Sequence, residues 1–87
     1  MGVIDDSKEL LQFIYDEYIK DDKLWLIRED FEKKFDWNEG RMRLAIEYLI
    51  ESRIVKGKLI YTEFTIHGIY PRGIDMIESE ENDTPRD

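Results

Sequence analysis

The stretch "GIYPRGIDMIE", Gly68 to Glu78, joins two patterns with no loop between them. Phe64, Ile66, Ile69 and Tyr70 belong to an extended, alternating run. Immediately after Gly73 an apolar pattern of Ile74, Met76 and Ile77 begins. Pro71 lacks an N–H and cannot donate to a sheet ladder, so it stops the strand. Its fixed φ suits the first turn of a helix. Gly73, without a Cβ, permits close approach of that helix to the sheet. Ile74 and Ile77 are then expected to face the core.

The elements upstream of the junction follow from their own patterns. Residues 54–70 are rich in Ile, Tyr, Thr and Phe and predict a β-hairpin with its tip at Tyr61–Glu63. Gly57 and Gly68 are candidate bulge positions. Residues 38–52 predict a helix with Asn38 as cap and Met42, Ala45, Ile46 and Leu49 as the inner stripe. Arg28 to Phe35 predicts a two-turn helix, with Phe31 and Phe35 on one face and no good N-cap at Arg28. Leu24–Ile27 reads as a short strand. Ser7 to Lys20 predicts the first helix, opened by Asp6 or Ser7 with capping-box spacing to Glu9. Its stripe is Leu10, Leu11, Ile14 and Tyr18. The helix after Gly73 is expected to last one or two turns. Residues 79–87, with no apolar side chain, read as a disordered acidic tail. The expected class is α+β, with a single domain over residues 1–78.

Eighty-seven residues leave room for one small domain, and two Trp, five Tyr and four Phe supply buried area to stabilise it. The absence of Cys excludes disulfides and thiolate metal sites. No apolar run approaches the roughly 18 residues that span a bilayer. The chain therefore reads as a cytoplasmic protein without a membrane partner. A single His and the lack of a phosphate loop, metal spacing or nucleophile elbow argue against an enzyme, a cofactor or a metal.

The order helix, short strand, helix, turn, helix, hairpin resembles the winged helix-turn-helix family over residues 7–78. "LIREDFEKKFDWNEGRMRLAIEYLIESRIVKG", Leu26 to Gly57, and "IYPRGIDMIE", Ile69 to Glu78, carry the resemblance. In many winged-helix regulators the last wing strand ends in Leu/Ile-Thr-Pro-x-Gly. Ile69-Tyr70-Pro71-Arg72-Gly73 is similar, with Tyr70 in place of Thr. Arg53 stands where the family usually has Gly after the third helix, so that helix must close without an easy left-handed residue.

The resemblance implies a transcription-regulator-like protein that binds double-stranded DNA with its third helix and wing. The matching candidates are Asn38, Arg41, Arg43, Leu44 and Tyr48 on the helix, and Lys56 and Lys58 in the wing. Each has a plainer role: Asn38 as a cap, Arg43 as a partner of Glu47 four residues on, the lysines as edge-strand guards. Trp37 is expected to plug the crossing of the two helices.

Charge divides the readings. The formal net charge is −8, the wrong sign for a simple polyanion binder. Residues 23–58 carry nine basic against seven acidic side chains, the one net-positive segment. Glu39, Glu47 and Glu51 nevertheless share the third helix with the arginines. The alternative is a winged-helix module that binds protein, or itself as a weak homodimer, through the third helix, an acidic surface, or an apolar wing surface of Leu59, Tyr61 and Phe64.

Overall fold

The computed structural model describes residues 2–82, and side chains over residues 2–79. Helix α1 spans Val3–Lys20, strand β1 Leu26–Ile27, α2 Arg28–Lys34 and α3 Glu39–Glu51. Strands β2, Val55–Ile60, and β3, Glu63–Ile69, form the hairpin, and α4 runs over Pro71–Asn82. Among the described residues this is a small α+β arrangement of four helices and one antiparallel sheet in the order β1-β3-β2. None of these helices is long and apolar enough to cross a membrane.

The core lies between the helices and the inner face of the sheet. Leu10, Leu11 and Ile14 of α1 meet Met42, Ala45, Ile46 and Leu49 of α3, and Phe64, Ile66 and Ile69 close it from the sheet. Phe31 is the only buried residue of α2. It makes edge-to-face contacts with Phe13 and Phe64, each at 5.1 Å between centroids. Helix α2, too short to persist alone, is held largely by that one ring.

Several boundaries differ from the sequence expectation. Helix α1 begins at Val3 rather than Ser7, with Gly2 as N-cap, so Asp6 and Ser7 lie inside the helix and are buried. The Ser7 hydroxyl donates to the Ile4 carbonyl at 2.8 Å. Helix α2 lacks a side-chain N-cap, and Asp30 instead accepts the Ile27 N–H at 2.9 Å. The hairpin turns at Tyr61–Thr62, one residue tighter than expected. Its register steps from Gly57↔Ile66 to Lys56↔Gly68, so the bulge falls where those two glycines were expected to mark one, with His67 as the unmatched residue.

Helix α3 closes with Arg53 at φ 57°. The Arg53 N–H donates to the Ile50 carbonyl and the Ile54 N–H to the Leu49 carbonyl, both at 3.0 Å. These two bonds make a Schellman motif with an arginine in the left-handed position that glycine usually fills.

At the junction, Gly73 lies buried in the first turn of α4. A Cβ there would sit 2.5 Å from the Ile54 carbonyl oxygen and 2.8 Å from Ile69 Cγ2. The same oxygen already accepts the Tyr70 N–H at 3.0 Å. Ile77 is buried and Ile74 half-buried against the core. Helix α4 is twelve residues long, not one or two turns, and it carries residues 79–82, where a disordered tail was expected. The rest of that expected tail, residues 83–87, lies outside the described residues.

Candidate functional site

The exposed side of α3 was the expected DNA-reading surface, and its basic character depends on two arginines. Arg41 is not available there. Its Nε and Nη2 both donate to the carboxylate of Asp6, each at 2.9 Å. Its guanidinium carbon lies 4.0 Å from the centroid of the Trp37 ring. Trp37 in turn stands 4.9 Å from the Phe35 ring. This bidentate pair and the stacked indole fasten the start of α1 to the start of α3, across 35 residues of sequence. Planar donors, a planar acceptor and a π face are the groups for which guanidinium is better suited than ammonium. Trp37 thus packs over the α2–α3 junction as expected, but it does so with Arg41 as its partner.

The hydrogen bond from Arg41 holds the Asp6 carboxyl below its usual pKa, against the opposing effect of its burial. A carboxylate whose pKa is depressed by folding contributes stability at pH values above the unfolded-state pKa, and that contribution is lost as pH falls through the folded pKa. Asp6→Asn should therefore be less stable than the natural chain at neutral pH. The gap between the two should close as pH drops below about 4, the ordinary aspartate range. Parallel thermal unfolding of both proteins from pH 7 to strongly acidic buffer measures it. A constant gap at every pH would show that the charge of Asp6 contributes nothing.

The other helix candidates are as follows. Asn38 caps α3, its Oδ1 accepting the Arg41 N–H at 2.8 Å. Arg43 is exposed and stands 3.9 Å from Glu47, a loose pair. Leu44 and Tyr48 are exposed. With Arg41 paired to Asp6 and Glu39 paired to Arg28, the outward charges left on α3 are Arg43, Glu47 and Glu51. In the hairpin, Lys56 and Lys58 are exposed, and the Lys56 ammonium lies 5.4 Å from the Tyr70 ring centroid.

Comparison with known proteins adds no family. No family model matches the chain, and no curated protein or solved structure matches it.

The expected partner surface is corrected as well. Phe64 is buried in the core against Phe31, and Leu59 is half-buried on the same side. Only Tyr61, at the hairpin tip, is open to solvent. The apolar surface lies instead on the outer face of the sheet. Trp25, Ile27 and Ile60 are 67%, 38% and 63% exposed. With Lys58, Glu63, Thr65 and His67 they line a shallow groove of about 610 Å³. Ile27 pairs with Thr65, and Thr65 with Lys58, so one row of this face crosses all three strands. The sequence did carry a signal for it. Leu26 and Ile27 are adjacent on a strand, so one of them had to face outward. Among the described residues no group of three or more His, Asp or Glu side chains is placed to hold a metal ion.

Proposed function

We propose that this chain is a winged-helix interaction module that binds protein rather than DNA. The single observation that supports this is the commitment of Arg41 to Asp6 and Trp37. The position that would offer a cation to a phosphate or guanine edge serves as a joint between two helices. What remains outward on α3 is one arginine beside Glu47 and Glu51, with Glu39 paired to Arg28. Phosphate contacts supply the larger part of non-specific DNA affinity, and an acidic helix on a chain of net charge −8 supplies few. In this reading the helix-turn-helix core is a rigid platform, and the exposed apolar face of the sheet is what it presents.

Titration of labelled duplex pools at low salt, followed by fluorescence anisotropy, tests the proposal. The expected result is no binding at micromolar protein, for the natural chain and for the Glu47→Gln/Glu51→Gln variant alike. The opposite outcome is specific: duplex binding that weakens on Arg43→Ala, with a salt slope flattened by about one unit. That result would restore the third helix as a DNA reader, with Lys56 and Lys58 as its backbone contacts.

A further inference from the structure

We infer that the outer face of the sheet is a self-complementary surface whose occupant is a second copy of this chain. The inference rests on the protein-binding reading above and names its partner. The face combines three exposed apolar side chains from two edges of the sheet, Trp25 and Ile27 beside β3 on one side and Ile60 on the other.

Charge decides between a second copy and a foreign partner. An acidic groove would select a basic ligand and a basic groove an acidic one; this groove is neither. It holds one cation, Lys58, and one anion, Glu63. Lys58 lies opposite Thr65 and Glu63 opposite Ile60, which makes the two diagonal neighbours on adjacent strands. Glu63 has one cationic partner in its own chain, and that partner is divided among three carboxylates. It shares the single guanidinium of Arg28, at 3.3 Å, with Glu32 and Glu39, each at 3.1 Å. One cation facing three carboxylates leaves negative charge towards the hairpin tip, while Lys58 leaves positive charge further along the face. A two-fold rotation brings each pole onto its opposite, as an isologous interface requires.

Two such sheets packed face to face would form a sandwich about 10 Å thick between backbones, with Trp25, Ile27 and Ile60 in its centre. Three short strands give a small interface. The expected dissociation constant is therefore roughly 10–100 µM.

Sedimentation velocity on the full chain, from a few micromolar to several hundred, is the test. A concentration-dependent dimer is expected. Trp25→Glu and Ile60→Glu should each weaken it by about 30-fold or more, with unchanged circular dichroism since both side chains are exposed. Lys58→Glu and Glu63→Lys should each be largely monomeric, and mixing the two should restore a dimer, because only the mixed pair places opposite charges together. A monomer at every concentration overturns the inference, as does a dimer indifferent to Trp25→Glu and Ile60→Glu, or a mixture that fails to recover. None of these outcomes bears on the duplex titration. Duplex binding, conversely, would remove the protein-binding reading without touching the sedimentation result.

Discussion

Gly73→Ala is expected to cost the domain about 2–4 kcal/mol. The added methyl would stand 2.5 Å from the Ile54 carbonyl oxygen, well inside any real contact. That oxygen cannot retreat freely, because it accepts the Tyr70 N–H at the foot of α4. Either α4 lifts off the sheet or a buried hydrogen bond stretches. The gain in helix propensity from Gly to Ala, about 1 kcal/mol, only partly offsets this. Gly40→Ala provides the control. Its methyl would meet only the Asn38 Oδ1, at an ordinary 3.5 Å. Chemical denaturation should show a large loss for Gly73→Ala and no loss, or a gain of up to about 1 kcal/mol, for Gly40→Ala. Equal effects would show that the close approach at Gly73 is relieved at no cost.

Phe31→Ala should have the largest effect of any single truncation, about 3–5 kcal/mol. The ring is fully buried and makes two edge-to-face contacts, with Phe13 on α1 and Phe64 on β3. Each such pair adds about 0.5–1.5 kcal/mol beyond area burial. No other buried side chain of α2 can take over, since Phe31 is the only one. Because domains of this size are marginal, the variant should be near its unfolding transition at room temperature. Where it still folds, amide exchange should be fastest over residues 28–34. Protection of those amides equal to that in the natural chain would show that α2 is held by something other than this ring.

The order of elements was legible because its punctuation is local. Pro71 and Gly73 mark the strand-to-helix junction, and Asn38 marks the start of α3. The stripes of α1 and α3 then follow from spacing alone. The length of α4 was not legible from apolar spacing, since residues 79–82 have no apolar side chain to continue the pattern. Glutamates sustain a helix without burying anything.

The joint at Arg41 was the larger miss, and it had a signal. Asp6 stands four residues before Leu10, and Arg41 four before Ala45, so each sits one turn up the inner stripe of its own helix. Two opposite charges placed on facing stripes are better read as partners for one another than as surface groups. The winged-helix resemblance had placed Arg41 on the outer side. Phe64 was misplaced for a related reason: a hairpin's register sets which of two alternating rows is inward, and sequence leaves it open until the turn is located. Once the turn falls at Tyr61–Thr62, Phe64 and Ile66 face in, and Ile60 faces out.

The two tryptophans occupy opposite kinds of surroundings, and this gives the molecule built-in optical reporters. Trp25 stands in water on the open sheet, so its emission should lie at long wavelength and yield readily to a soluble quencher. Trp37 is contacted by the Phe35 ring and the Arg41 guanidinium, so it should be shielded from the same quencher. The quenchable fraction of the fluorescence therefore reports on whatever covers the sheet. The protected fraction reports on whether α1 and α3 remain clasped. An unlabelled sample can distinguish association from loosening of the fold within one titration.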